Sequence, residues 1–323
     1  MPVEVSVIVP LFRAENTVGP VVEKLLRQTG VTFEIVLVDD GSPDATFEIA
    51  QQLAVEYPAV RAFALAENGG VAAARERAAD ESTGKYVWMI DDDDDWADDS
   101  LSILVGEARR SGADVVVGGA SYVYSTGVAP RAVGDPTLSG DFSTREAFCL
   151  FLSGRISGHL WNKLFDRSLL QRIEFTRATV HSDHAMVAQL LSVASRVTAT
   201  KRPVYRYQVR TGSIVRSGKR RGESLAKVHE VVVKAASRMH PRLDDTADFV
   251  YYYQRYVVSS ALKDAVSGAY PLDEEKAIFA QFRAEIDLAG VLEVARRRDY
   301  RRVILLLTAF LGRPVFHYLF SGR

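Results

Sequence analysis

An α/β fold, with a mostly parallel sheet flanked by helices and a mainly helical C-terminal region, is what this chain predicts. Three observations carry that prediction. Short β-branched apolar runs recur through the first 120 residues at intervals of about 30 residues, the length of a βαβ unit. The runs are apolar at nearly every position, as strands covered on both faces must be. The intervals between them carry apolar residues at helical spacing.

The runs are Val5–Val9, Ile35–Val38, Val60–Ala64, Tyr86–Ile90 and Val115–Val117. Between the first two, Thr17 to Gln28 sets Val18, Val21, Val22, Leu25 and Leu26 on one stripe, which predicts a helix. Ala45–Tyr57, Val71–Glu81 and Ser100–Ser111 predict three more. Residues 120–157 are weakly patterned and hold Gly127, Pro130, Gly134, Pro136 and Gly140, so a connection with loops is expected there. Compact mixed structure returns over 158–215. From Gly222 onward the pattern is helical and includes Tyr251-Tyr252-Tyr253.

Bulk properties narrow the function. With 323 residues, 47% of them hydrophobic, the chain can bury a large core. A formal net charge of -1 gives no global attraction for nucleic acid. The single cysteine, Cys149, excludes an intramolecular disulfide framework and a cysteine-rich metal cluster, and it is consistent with a reducing compartment. The N-terminus lacks the basic head and apolar stretch of a signal peptide. No window reaches the run of about 18 apolar residues that a spanning helix needs. Val303–Leu311 comes nearest and is interrupted by Gly312-Arg313-Pro314. A cytoplasmic protein is expected, peripheral at the inner face of the membrane if its tail touches lipid.

Two of the strands run into acid. One ends at Asp39-Asp40-Gly41-Ser42 and the other at the unbroken run Asp91–Asp95. Ligands of open α/β sheets bind at such carboxyl ends. The first strand leads into Pro10-Leu11-Phe12-Arg13 rather than a Gly-x-Gly-x-x-Gly turn, which argues against a dinucleotide fold. Consecutive aspartates are too costly to bury unpaired, so the run reads as a solvated loop or a hard-cation site. The rigid strand before it favours the cation. Magnesium or manganese is held by a few carboxylate oxygens together with substrate phosphates. Such an ion neutralises charge on a departing diphosphate. Transfer from an activated diphosphate sugar fits, and nucleotidyl transfer is the main competitor.

Four segments in order then resemble family 2 glycosyltransferases of the GT-A fold. They are Val5-Ser6-Val7-Ile8-Val9-Pro10, Ile35 through Ser42, Asn68-Gly69-Gly70-Val71-Ala72-Ala73-Ala74-Arg75, and Met89-Ile90-Asp91-Asp92-Asp93-Asp94, which looks like the family's Asp-x-Asp motif. The resemblance implies an inverting, metal-dependent transferase using a nucleotide-diphosphate sugar, with UDP the expected nucleotide. It implies that residues 1–215 form the catalytic domain, 1–120 binding the donor and 121–215 the acceptor, followed by a helical region over 216–323. Asp40 is expected to bond the base, with Pro10 and Phe12 lining the base pocket. Asp39 would support that loop or reach the ribose, although an Asp-Gly-Ser turn alone also explains it. Asn68 and Asp92 fall in the donor-binding set. Arg75 would approach the diphosphate, or else be a solvated helical arginine. Asp91 would hold the ribose or a metal-bound water, and Asp93 the manganese or magnesium ion. The chain departs from the family at Phe12-Arg13, where Tyr-Asn is common, and at Asp95, where an apolar residue is common.

The second half resembles polysaccharide-making members at Leu160-Trp161-Asn162-Lys163-Leu164-Phe165, His181-Ser182-Asp183-His184, Val204-Tyr205-Arg206-Tyr207 and Arg210 through Ile214. Ser182 stands where the family has glutamate. The family's general base maps to Asp183. The plainer reading of Asp183 is a cap or first-turn acid of a helix over His184–Val193. His184 is a candidate acceptor or diphosphate contact, and His181 is expected to be structural. Lys163 would serve substrate binding, or be solvated. A glycan, polymer or lipid-linked acceptor is expected, and no nucleic acid. Arginines beside Val303–Leu311 and Val315–Phe320 suggest an interfacial helix pair, against packing on the domain or on a second copy. A nucleotidyltransferase and an inactive binding protein on the same fold are the alternatives.

Overall fold

The computed structural model describes residues 2–209, 221–243, 245–268 and 270–321. Among these, nine strands form one sheet. They are β1 (Val5–Leu11), β2 (Phe33–Asp39), β3 (Val60–Ala64), β4 (Tyr86–Met89), β5 (Val115–Tyr124), β6 (Arg131–Ala132), β7 (Gly140–Phe142), β8 (Lys163–Asp166) and β9 (Val197–Val209). The order is β3-β2-β1-β4-β8-β5-β9-β7, with β6 on β5. The first four strands pair in parallel. β8 then enters antiparallel between β4 and β5, and β9 lies parallel to β5.

Alternation along the strands explains the continuous apolar runs. Ile8, Val36, Val38, Val87 and Met89 enter one core, while Val7, Val9, Ile35, Leu37 and Trp88 enter the other. Helices α1 (Val18–Leu25), α2 (Thr46–Glu56) and α4 (Ser100–Ser111) contribute to the second core. The first takes α3 (Val71–Glu81), α5 (Thr144–Leu152), α6 (Ser182–Val193) and α7 (Gly222–Met239). A third core lies within α9 (Ser259–Ser267), α10 (Leu272–Ala284), α11 (Leu288–Arg296), α12 (Tyr300–Ala309) and α13 (Arg313–Phe320). The C-terminal helices dock on the sheet through α8 (Ala247–Tyr252) and the π-turn at Tyr253–Val258, because Phe249, Tyr252 and Val257 belong to the first core.

Three elements differ from the sequence reading. Residues 120–157 are not merely loops, since β5 continues to Tyr124 and α5 follows. The signal for α5 was present: Ser143 and Glu146 form a capping box, each side chain bonding the other's backbone. Glycines at 118 and 119 hid the strand continuation. A Cβ on Gly119 would lie 2.8 Å from the Lys201 carbonyl, so only glycine lets β9 pass. Finally, α6 starts at Ser182 rather than His184, with His181 as its cap residue in the left-handed region at φ 64°.

Candidate active site

β1 and β2 place Leu11 beside Asp39, so the turn after β2 opens at the carboxyl end of the sheet. Gly41 makes this turn at φ +66°, and a Cβ there would meet Asn68 N at 2.9 Å. Asp39 and Asp40 then divide the work differently from the expectation. Asp40 Oδ1 accepts the Gly69 N–H at 2.8 Å, and Asn68 Nδ2 donates to the Asp40 carbonyl at 3.1 Å. Asp40 therefore clamps the 68–70 loop, and burial pushes its carboxyl up. Asp39 Oδ2 accepts from Ser42 N at 3.0 Å, as a turn residue does. Its Oδ1 is buried with no hydrogen-bond partner, so Asp39 too keeps an acceptor in reserve. Pro10 is buried in β1, and Phe12 stands exposed on the rim.

The five aspartates after β4 separate into two groups. Asp94 is buried, accepting from Tyr205 Oη at 2.9 Å and from Gln208 N at 2.8 Å. Burial, then the neighbouring Asp91, pushes its carboxyl up to about 8. Asp95 pairs with Lys24 and Arg206, and its backbone bridges Arg206 in antiparallel fashion. These two residues pin the loop to β9, which corrects the reading of the whole run as solvated or metal-facing. Their partners are too distant in sequence for local pattern to reveal. Asp92 accepts from Thr17 Oγ1. Asp93 is half-buried. Asp91 donates its N–H to Tyr205 Oη at 3.2 Å. Its carboxyl is pushed up to about 6 by burial, with Asp183, Asp93 and Asp92 adding to the rise against the pull of Arg75.

Arg75 joins the two halves of the site. It is 3% exposed on α3, so it is not a solvated arginine. Nη2 donates to Asp91 at 3.0 Å and Nη1 to Asp183 at 2.5 Å. Nε is buried without a partner. Asp183 also accepts the Leu160 N–H. Burial alone would raise the Asp183 carboxyl, but Arg75 and then His159 outweigh it and hold the group low. A capping role falls away, because His181 is the cap residue and the Asp183 carboxylate reaches across to Arg75 and Leu160. Asp183 is nonetheless a first-turn acid of α6.

Two expected substrate contacts are internal. His184 stacks on Tyr256 with centroids 4.0 Å apart and lies 4.4 Å from Phe151. Burial holds its imidazole well below the usual range, so it offers no cation to a diphosphate. Lys163 is fully buried. Its Nζ donates to the His159 carbonyl at 2.6 Å, Asn162 Oδ1 at 2.9 Å and Ser157 Oγ at 3.2 Å. Those bonds use the three donors of an ammonium, so Lys163 fastens the 157–162 loop instead of touching substrate. Burial brings its ammonium down to about 7. Sequence reasoning missed Tyr205, which holds both Asp91 and Asp94, although the segment carrying it was recognised. Arg210 through Ile214 lie outside the described residues.

No three carboxylate, imidazole or thiolate groups converge as a metal cage among the described residues. An ion here would take only part of its shell from the protein, and hard oxygens from Asp91 or Asp93 suit magnesium or manganese.

The family model for glycosyl transferase family 2 matches residues 6–174. An uncharacterized glycosyltransferase of Escherichia coli, YibD, is 29% identical over 219 residues, covering 66% of this chain and 63% of that protein. The chain thus spans under two thirds of this relative's length. S. aureus TarS in complex with UDP-GlcNAc superposes with a TM-score of 0.67 at 17% identity, covering 95% of this chain and 91% of that one. The mannosyltransferase PcManGT of Pyrobaculum calidifontis, with GDP-Man and Mn2+, gives 0.57 at 18% identity, covering 96% and 87%.

Proposed function

The chain belongs to glycosyl transferase family 2, and on that premise we propose that it moves a sugar from a nucleotide-diphosphate donor, UDP-linked, to a hydroxyl acceptor with inversion. The observation that carries the reading is Arg75, which spans Asp91 and Asp183 in one bidentate bridge. It sets a carboxylate held low, and hence ionised, beside the acid cluster at the donor end of the sheet. An ionised carboxylate can accept the proton of an attacking hydroxyl. The proposed base is Asp183, which takes the proton of the acceptor hydroxyl as that hydroxyl attacks the anomeric carbon from the side opposite the departing diphosphate.

In this reading residues 1–120 bind the donor and 121–215 the acceptor. The open Asp39 oxygen accepts the N–H of the base, beside Pro10 and Phe12. Asn68 and Asp40 keep the loop closed beneath it. Asp93 is the proposed ligand of the divalent ion, with Asp91 and Asp92 beside it. When bound, that ion neutralises charge on the departing diphosphate. TarS with UDP-GlcNAc and PcManGT with GDP-Man and Mn2+ support a nucleotide sugar and a divalent ion for this fold. Incubation with UDP-sugars, manganese and an acceptor extract is expected to release UDP. Release of pyrophosphate from UTP and a sugar 1-phosphate, with no UDP formed from UDP-sugars, would favour the nucleotidyltransferase, and no release from any donor the inactive binding protein. Asp93→Ala is expected to weaken UDP binding in manganese by about 10- to 100-fold in calorimetry, the scale seen for disturbed metal sites. Unchanged affinity would move the ion to another aspartate or remove it.

For the tail we propose contact with an anionic membrane surface. Among the described residues no helix is long and apolar enough to cross a membrane. Leu305, Leu306, Ala309 and Phe316 are buried in the third core, so α12 and α13 do pack on the protein. Ile304, Leu307, Leu311 and Tyr318 are half or more exposed beside the exposed Arg296, Arg298 and Arg301. An apolar face rimmed by cations fits an anionic surface better than a second copy carrying the same charges. The protein should float with phosphatidylglycerol vesicles at low salt, and Ile304→Glu with Leu311→Glu should stop it. Flotation unaltered by the pair would discard the surface.

A further inference from the structure

Beside the carboxylates stands an aromatic column that the chemistry above leaves unused. Trp161 stacks on Tyr205 with centroids 4.6 Å apart and planes 13° apart. His159 stacks on Trp161 at 4.6 Å and 15°. The Tyr207 ring lies 5.8 Å from Trp161, and Tyr122 meets Tyr207 edge-on at 5.7 Å. Tyr122 Oη and His159 Nε2 are 2.9 Å apart and satisfy one another. Trp161 and Tyr205 are each 1% exposed, whereas His159, Tyr207 and Tyr122 are half-buried. The column thus begins inside the protein and ends at its surface.

Its surface end is tied to both sets of acids. The residue after His159, Leu160, gives its N–H to Asp183. The residue after Tyr207, Gln208, gives its N–H to Asp94. Asp183 and Asp91 keep side-chain exposures of 22% and 30%, so both carboxylates are open in part to solvent. His159 lies close enough to Asp183 to feel its charge, so these rings border the space next to the proposed base.

Resting on the transferase reading, we propose that His159, Tyr207 and Tyr122 form the acceptor subsite and receive a pyranose ring stacked on an aromatic face. The acceptor's reacting end is then a glycan, not a linear polyol or a bare lipid alcohol. An aromatic face is electron-rich, and one face of a pyranose presents polarised C–H bonds over a flat area of matching size. A linear polyol offers no such face. Pairing between Tyr122 and His159 fixes the rings in advance, which lowers the ordering cost of binding. Burial holds the His159 imidazole down to about 4, so the platform is uncharged at neutral pH.

Saturation-transfer NMR tests this on the full chain with UDP and diamagnetic magnesium present. The probes are di- and trisaccharides of glucose, galactose and N-acetylglucosamine, with ribitol phosphate as the ringless control. Transfer to pyranose ring protons of at least one sugar is expected, and none to ribitol phosphate. Tyr207→Ala should weaken that binding by about tenfold, the worth of one stacked pair with its buried area, while Tyr207→Phe retains it. Contact with ribitol phosphate but no sugar, or sugar contact that survives both Tyr207→Ala and His159→Ala, overturns the proposal. UDP affinity of the unmodified protein separates the two claims. A protein that binds UDP but no sugar overturns the acceptor subsite alone, and one that binds neither overturns the transferase reading with it.

Discussion

Asp183→Asn is expected to lower single-turnover transfer by about 10²–10⁴-fold, the usual contribution of a positioned general base. Asparagine keeps the size and the oxygen that accepts from Leu160 but cannot take the proton. UDP affinity should stay within a few-fold, because the proposed donor contacts at Asp39 and Asp93 are untouched. Stability should fall by only about 1–2 kcal/mol, since Arg75 retains Asp91 as a charged partner. Single-turnover transfer, UDP calorimetry and thermal melting read the three effects separately. Near-normal transfer would discard Asp183 as the base and turn attention to the aspartates of the acid run.

Arg75→Met should act on stability and on pH dependence together. Methionine preserves bulk on α3 but leaves Asp91 and Asp183 facing each other without their shared cation. Breaking a buried pair typically costs about 3–5 kcal/mol, and the partial exposure of both carboxylates reduces this to about 2–3 kcal/mol. The sign follows from Asp183. Its carboxyl is held low in the folded protein, so Arg75 contributes stability that is present above the ordinary carboxylate range. That contribution is lost as pH falls through the folded-state value. The melting difference between parent and variant should therefore be full at neutral pH and shrink in acid. Transfer should show the matching effect, with the acid limb of the pH–rate profile moving to higher pH in the variant. A limb that stays in place would mean that Arg75 does not tune the base.

Much of this arrangement is legible in the sequence because strand ends are local. The apolar runs locate β1 to β4, and the acids after β2 and β4 mark the strand ends where the donor site is proposed. Asp183 and Arg75 carry recognisable neighbours. What stayed hidden depends on pairing at long range. Nothing near Asp94 says that Tyr205 and Gln208 will satisfy it, so five aspartates look alike although two are anchors. Lys163 and His184 are polar letters in the sequence, and only the packing of the 157–162 loop and of Tyr256 turns them inward. Asp39 and Asp40 are adjacent, and only the folded turn shows that Gly69 engages an Asp40 oxygen while one Asp39 oxygen is left without a partner.

The dependence of the acid loop on Tyr205 also orders events during synthesis. Asp91 and Tyr205 are 114 residues apart. At about 5–20 residues per second, a ribosome adds that length in roughly 6–23 s. Through that interval the parallel strands β1 to β4 can already have formed, yet Asp91 and Asp94 lack the hydroxyl that fixes them and Asp183 is still being made. A nascent chain therefore carries a sheet before it carries a usable site. On the proposed function, capture of the nucleotide then waits until Tyr205 has emerged.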